Sequence, residues 1–223
     1  GTVCALRDVT FALAPGEVLG VVGQRGAGKS TLFHLLSGVH TPSDGEIIFD
    51  GQPVTLPSVS QAQNLGIVAV HQSPQFFEHM NVLYNAFMGC EIRTRGLFKY
   101  GREGRMLQVV RDLLTAFDMP VELAERSVHD LSDEERQVVA LTRALCRPCR
   151  LLLLDDSLGA LSFARQQILL ERIRTLSEQG IAVILSGDDL KQVFAVTDRI
   201  LILYKGRQVA LLRTEGTTPR DIV

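Results

Sequence analysis

One stretch of the chain has the residue types and spacing of a phosphate-binding loop. The stretch Gly23-Gln24-Arg25-Gly26-Ala27-Gly28-Lys29-Ser30 fits the pattern G-x-x-x-x-G-K-[ST] at every fixed position, and Gly26 adds a third glycine. Backbone N–H groups of such a loop surround phosphate oxygens, and the N-terminus of the following helix adds partial positive charge. The lysine would reach the terminal phosphates and the serine hydroxyl would bind Mg²⁺. The residues predicted to hold a nucleotide are Gly23, Gln24, Arg25, Gly26, Ala27, Gly28, Lys29, Ser30 and Thr31.

The sequence on both sides of the loop fits the strand-loop-helix unit that this motif requires. An apolar run, Val18–Val22, precedes the loop, and a helical pattern over residues 31–36 follows it. A bare glycine-rich turn is the alternative, but it explains neither the Lys-Ser pair nor the flanking pattern.

The rest of the pattern indicates an α/β fold. Strands are predicted around the loop between Phe11 and Phe49, and continuous apolar runs recur at residues 66–70, 151–154, 181–185 and 200–203. Such runs alternating with helices are typical of a parallel sheet that is covered on both faces. From Ser73 to about Arg150 the periodicity is helical. We therefore predict a P-loop NTPase core (1–72 and 151–223) with a mostly parallel sheet, an inserted α-helical subdomain at about 73–150, and a small antiparallel β part near the N-terminus.

Composition and charge exclude some classes of protein. The net charge of the 223 residues is −2, with no basic tail, so nucleic acid is not expected as a partner. No apolar run approaches the ~18 residues of a membrane span, and no signal peptide precedes the loop, so we expect a cytoplasmic protein. Because the chain begins with Gly1 rather than Met, we expect it to be a piece of something longer. Cys146 and Cys149 have redox or zinc spacing, but without a second pair this spacing assigns no role.

Several motifs occur in the order found in ABC transporters, and the chain resembles their ATP-binding subunit over essentially its whole length. The resemblance is closest to the branch that imports monosaccharides such as ribose or galactose. It is carried by residues 5–11, 26–32, 70–72, 81–89 and 198–200. It implies ATP and Mg²⁺ as cofactors, ATPase activity, and a transmembrane permease subunit as a partner. It also implies a second nucleotide-binding domain, in a homodimer, a heterodimer or a tandem polypeptide, on the inner face of the cell membrane.

The resemblance also implies roles for individual residues. Gln72 would touch Mg²⁺ or the attacking water, with a polar strand cap as the alternative. Asp155, after the apolar run Leu151–Leu154, would hold Mg²⁺ together with Ser30 and Gln72. Asp156 stands where active relatives have the glutamate that activates water. Aspartate is one methylene shorter, and a base must come within about 2.6–3.2 Å of its target, so we expect slow turnover.

Two further positions depart from the family pattern. Counted without gaps from Asp198, the family's histidine position is Asp188, and the signature Leu-Ser-Gly-Gly-Gln is here residues 131–135, Leu-Ser-Asp-Glu-Glu. Ser132 and Glu135 have capping-box spacing, and the acidic first turn suits the helix dipole. A phosphate held by a partner would meet like charge there. We therefore expect hydrolysis to be slow or partner-dependent. A degenerate, non-hydrolysing half with a structural or regulatory role is the alternative.

Overall fold

A computed structural model describes residues 4–90 and 100–218. The strands are β1 Val18–Val22, β2 Ile47–Phe49, β3 Gln52–Val54, β4 Ile67–Val70, β5 Leu151–Leu154, β6 Ala182–Ser186, β7 Arg199–Tyr204 and β8 Arg207–Arg213. The α-helices are α1 Lys29–Leu36, α2 Val59–Asn64, α3 Val82–Phe87, α4 Tyr100–Ala116, α5 Asp133–Leu145, α6 Phe163–Glu178 and α7 Leu190–Val196. Short 3₁₀ helices span Val121–Glu125 and Val128–Asp130.

The main sheet has six strands in the order β4-β5-β6-β1-β7-β8. All neighbours in it are parallel except β7 and β8. Strands β2 and β3 form a separate antiparallel pair. Every residue of β1, β5 and β6 is buried, as expected for the centre of a parallel sheet covered on both faces. The predicted fold class, a mostly parallel α/β core with a small antiparallel part, is confirmed.

The sequence pattern was wrong at two places in this sheet. No strand forms between Phe11 and Val18; in the described backbone before β1, only an isolated bridge joins Arg7 to Arg207. Strand β8 was missed because its residues are exposed or half-buried, and its sequence is not continuously apolar. The sequence did contain a turn signal, Gly206, soon after the apolar run at residues 200–203. In the structure Lys205 and Gly206 both have positive φ, 46° and 78°, as a tight hairpin between β7 and β8 requires.

The described chain divides into two compact units. The first comprises Gly1–Gln72, Cys149–Gly159 and Leu170–Val223 and contains the whole main sheet. Its hydrophobic core includes residues of the sheet and of α1: Leu19, Val21, Phe33, Leu153, Ile184 and Leu201. Phe33 is completely buried, so α1 is fixed against the sheet directly behind the loop that precedes it.

The second unit is helical and comprises Ser73–Pro148 and Ala160–Leu169. Helices α3, α4 and α5 pack together in it. Among its fully buried side chains are Val82, Val110, Leu114, Phe117, Val138 and Val139. No helix within the described residues has both the length and the apolar character needed to cross a bilayer.

Two arginines of α5 hold the segment that follows Gln72 within this second unit. Arg136 donates two hydrogen bonds to the carboxylate of Glu78, at 2.9 and 2.8 Å. Arg143 donates to the carbonyl oxygen of Gln75 at 2.7 Å, and its guanidinium carbon lies 4.8 Å from the centre of the Phe76 ring. The segment is therefore attached to α5 at two separate points.

Candidate functional site

The predicted phosphate loop lies between the end of β1 and the start of α1. Gly26 and Gly28 have φ values of 81° and 104°, in the left-handed region that favours glycine. A Cβ on Gly28 would lie 2.6 Å from Cδ2 of Leu6, whereas a Cβ on Gly26 would meet no described atom within 4 Å. Gly26 is therefore required for its backbone conformation alone, and Gly28 for both conformation and space.

The N-terminus of α1 has the properties of an anion-binding site. Gly28 is its N-cap and provides no side chain, and no acidic residue lies in the first turn. The first N–H groups of a helix have no partner within the helix, so they remain available to phosphate oxygens. Ser30 is exposed beside them and Thr31 is half-buried. In the loop itself, Gln24, Arg25 and Gly26 are exposed and Ala27 is buried, and these residues together fit a bound phosphate chain.

The side chain of Lys29 lies across the loop. Its Nζ donates to the carbonyl oxygen of Gly23 at 2.5 Å. The same nitrogen lies 3.8 Å from Oδ1 of Asp188, at the outer limit of an ion pair. The Lys29 side chain is only 14% exposed, whereas that of Asp188 is 88% exposed. Asp188, which occupies the position of the family's histidine, therefore lies beside the lysine of the phosphate loop.

A buried serine connects the two carboxylates that follow β5. Strands β5 and β6 are adjacent and parallel, so their carboxyl ends lie at the same edge of the sheet. Ser186, the last residue of β6, donates through Oγ to Oδ1 of Asp155 at 2.9 Å and accepts from the backbone N–H of Asp156 at 3.0 Å. Asp155 and Ser186 are 4% and 1% exposed. Sequence reasoning did not select Ser186, although it is a polar residue that ends a predicted apolar strand.

The structure brings Asp156 and Gln72 together. Nε2 of Gln72 donates to Oδ2 of Asp156 at 2.7 Å. Asp156 has φ 49°, a left-handed conformation that Asp and Asn tolerate better than other non-glycine residues. Burial raises the pKa of the Asp156 carboxyl, and the negative charges of Asp188 and Asp155 raise it further, against the opposing effects of Lys29 and Gln72. The carboxyl therefore holds a proton to higher pH than an ordinary aspartate.

The oxygen donors at this edge of the sheet fit the chemistry of Mg²⁺. Magnesium in nucleotide sites takes one or two carboxylates, with substrate phosphates and water completing its octahedron. Asp155 supplies a carboxylate, Ser30 an exposed hydroxyl, and Gln72 an amide oxygen. No group of three or more His, Cys, Asp or Glu side chains that could hold a metal ion occurs among the described residues. A metal here would therefore depend on phosphate oxygens as further ligands.

The altered signature segment begins α5 and is held by its own neighbours. The predicted capping box is confirmed: Oγ of Ser132 accepts from the N–H of Glu135 at 3.3 Å, and the N–H of Ser132 donates to Glu135 at 2.8 Å. Glu134 accepts from the N–H of Ser162 at 2.8 Å and pairs with Arg165 at 2.9 Å. The bonds from Ser162, with Arg165, lower the pKa of Glu134 to about 2.

These pairings change the electrostatic expectation for the signature segment. Glu135 also lies 3.2 Å from Arg126, so two of the three first-turn carboxylates, those of Glu134 and Glu135, have a cationic partner in the same unit. The sequence alone suggested three unscreened negative charges. The repulsion that an incoming phosphate would meet is therefore weaker, although Asp133 remains exposed at the helix start.

The two cysteines with redox or zinc spacing are not activated. Burial raises the pKa of both thiols, Cys146 and Cys149, to about 12. The thiolate is the form that attacks disulfides and binds metal, so both side chains stay protonated near neutral pH.

The family model described as ABC transporter matches residues 6–159. The chain is 39% identical over 224 residues to a ribose import ATP-binding protein of Rhizobium etli, and 33% identical over 226 residues to a xylose import ATP-binding protein of Photobacterium profundum. All of this chain is covered in both matches, but it spans only 43% and 44% of the lengths of these relatives.

Solved structures share the fold at lower identity. A dimeric bacterial ABC transporter cassette superposes with a TM-score of 0.84 at 22% identity, covering 96% of this chain and 92% of the cassette. A nucleotide-free ATP-binding cassette from an ABC transporter superposes with a TM-score of 0.79 at 23% identity, covering 94% and 85%. At these identities the superpositions show a common fold.

Proposed function

Since this chain belongs to the ABC transporter family, we propose that it binds ATP with Mg²⁺ and hydrolyses it to power the import of a sugar. The observation that carries the proposal is the complete phosphate loop, with Lys29 in the same unit as the Asp155, Asp156 and Gln72 cluster. A sugar as the transported solute is supported by the names of the relatives, ribose and xylose import ATP-binding proteins.

In this proposal, different residues of the site bind the phosphates and the metal ion. Backbone N–H groups of the loop and of α1, with Lys29, would hold the nucleotide phosphates. Ser30, Asp155 and Gln72 would hold Mg²⁺, which supplies positive charge to neutralise the phosphate oxygens. Ser186 fixes the orientation of Asp155 through its 2.9 Å hydrogen bond.

Asp156 and Gln72 would act on the attacking water. The amide nitrogen of Gln72 already donates to Asp156, so its Oε1 is the atom that can accept from water or bind the metal. Asp156 would take the proton from the water, and its raised pKa makes the carboxylate a stronger base than an ordinary aspartate.

The proposed function requires two kinds of partner. We propose a transmembrane permease subunit, and a second nucleotide-binding domain either from another chain or from the same polypeptide. The location would be the inner face of the membrane. The signature residues Glu134 and Glu135 bond within their own unit, so hydrolysis would be slow or would depend on a partner whose signature carries glycines.

The test measures MgATP binding by calorimetry and phosphate release by the chain and two lysine variants. Lys29→Ala removes a charged hydrogen-bond donor, so we expect binding to weaken at least tenfold, since bonds to charged groups contribute about 1.5–3 kcal/mol. Lys191→Ala removes the same charge from an exposed position and should bind as the wild type does. Equal binding by both variants would refute the proposed site.

A third variant, Asp156→Asn, tests the proposed base. Asp156→Asn should retain MgATP binding and lower turnover about 10²–10⁴-fold, the usual contribution of a general base. Wild-type protein that binds MgATP without measurable turnover, with or without a partner cassette, would instead establish the non-hydrolysing alternative.

A further inference from the structure

An exposed carboxylate, that of Asp188, lies beside the lysine of the phosphate loop. Asp188 is the second residue after the end of β6 and directly precedes Asp189, whose side chain accepts from the N–H of Lys191 and caps α7. Strand and cap therefore fix Asp188 from both sides. Its Oδ1 atom is 3.8 Å from Nζ of Lys29.

This distance determines what a phosphate on Lys29 would meet. A phosphate oxygen bonded to Nζ lies about 2.8 Å from it, so at most about 7 Å would separate that oxygen from Oδ1 of Asp188. The Debye length at physiological ionic strength is about 8 Å, so salt does not fully screen the two negative charges from each other. Asp188 also attracts Lys29, and a phosphate must compete with it.

The two contacts of Lys29 distinguish an inner from an outer phosphate. Nζ contacts the loop through the carbonyl oxygen of Gly23, and it also lies 3.8 Å from Asp188, whose side chain is 88% exposed. Backbone N–H groups of a phosphate loop hold the phosphates nearest the nucleoside, while the lysine extends to the outermost ones. The last phosphate of a triphosphate is therefore the group added nearest to Asp188.

We propose that Asp188 is a specificity-determining residue that makes this site prefer nucleoside diphosphates to nucleoside triphosphates. The inference rests on the proposed nucleotide binding. A third phosphate would add negative charge beside Lys29, whose Nζ already lies 3.8 Å from the carboxylate of Asp188.

The test compares dissociation constants of MgADP and MgATP, measured by calorimetry, for four proteins. Asp188→Asn keeps the shape and removes the charge, and Asp188→Glu keeps the charge. Asp189→Asn is the matched control: it removes an equal charge one residue away and keeps an oxygen that can cap α7. We expect Asp188→Asn to tighten MgATP binding about tenfold and MgADP binding about threefold or less. The repulsion between Asp188 and the third phosphate of ATP is expected to exceed the energy of the exposed ion pair with Lys29, which affects both nucleotides.

The control variants show whether a change in the ratio of the MgADP and MgATP dissociation constants is specific to the charge of Asp188. Asp188→Glu and Asp189→Asn should keep the wild-type ratio of the two constants within about twofold, the scale of an exposed charge. A ratio of the two constants that stays unchanged in Asp188→Asn, even if both nucleotides bind more tightly, would overturn the inference and leave the proposed function standing. Wild-type protein that binds neither nucleotide would overturn the proposed function itself.

Discussion

At the scale of single residues, Ser186 organises the site that the two aspartates form. Its hydroxyl bonds both to the carboxylate of Asp155 and to the backbone N–H of Asp156, so one buried side chain sets the positions of two acidic residues. Such a bridge between strands is invisible in sequence, because the bonded residues are separated by 31 and 30 positions. The phosphate loop, in contrast, was predictable because its glycines, lysine and serine lie within eight consecutive residues, Gly23 to Ser30.

Replacing this hydroxyl should cost both stability and affinity. Ser186→Ala leaves a buried N–H without its acceptor and a carboxylate without its donor, so we expect the free energy of unfolding to fall by about 1–3 kcal/mol and MgATP binding to weaken. Ser157→Ala is the control, because Ser157 is equally buried but makes only a 3.4 Å bond, to the carbonyl of Val70. Urea titration measures the free energy of unfolding of both variants, and calorimetry measures their MgATP binding. A larger loss of stability for Ser157→Ala than for Ser186→Ala would show that the bridge is unimportant.

At the scale of elements, helix α5 is stabilised by acidic residues of its first turn. The capping box was predictable from the three-residue spacing of Ser132 and Glu135, since capping is local. The pairing of Glu134 with Arg165 was not, because it joins segments 31 residues apart in the chain. Sequence reasoning therefore saw a repulsive cluster where the fold has made mostly internal ion pairs.

The Glu134 carboxylate should make stability depend on pH. Its pKa falls from 4.5 to about 2 in the folded chain. A carboxyl with a lowered folded pKa stabilises the fold fully above its unfolded pKa, and this contribution is lost as pH falls from about 4.5 towards 2. The side chain is 28% exposed, so we expect about 1–2 kcal/mol rather than the full ~3 kcal/mol of the shift.

The variant Glu134→Gln measures this contribution. It should be less stable than the wild type at pH 7, and the difference should shrink as pH approaches 2. Asp133→Asn, on the same helix turn but exposed, should show little difference at either pH. A gap between Glu134→Gln and wild type that stays constant over this pH range would mean that the carboxylate is not responsible.

At the scale of the whole molecule, the parallel strands followed from the sequence, and the antiparallel edge strand β8 did not. Continuous apolar runs predicted the parallel strands correctly because burial on both faces leaves no polar positions in them. Strand β8 is exposed or half-buried along its whole length, and Lys205 and Gly206, which join it to β7, both have positive φ.

Restoring the glycines tests whether the signature limits a site shared between two copies. Asp133→Gly with Glu134→Gly removes two side chains from the start of α5. We expect a less stable protein, by about 1 kcal/mol for each helical glycine, in addition to the lost Glu134 pair. Its phosphate release should rise at least about tenfold, equivalent to ~1.4 kcal/mol of barrier.

The concentration dependence of this rate identifies the cause. Activity that needs two copies should rise more than linearly with protein concentration. The matched variant Asp133→Ala with Glu134→Ala removes the same charges but keeps the Cβ atoms, and it separates charge from space. Turnover of the glycine variant equal to that of wild type at every concentration would argue against any limit set by the signature.

The attachment of the segment after Gln72 to α5 has a mechanical consequence. Arg136 and Arg143 are seven residues apart, so they lie about two turns and 10 Å apart along one side of the helix. One anchor would let the segment swivel, but two fix its direction as well as its position. A displacement of Glu78 and its neighbours must therefore move α5 in the same direction. The acidic first turn at the N-terminal end of α5 would then shift together with the helix as a rigid body.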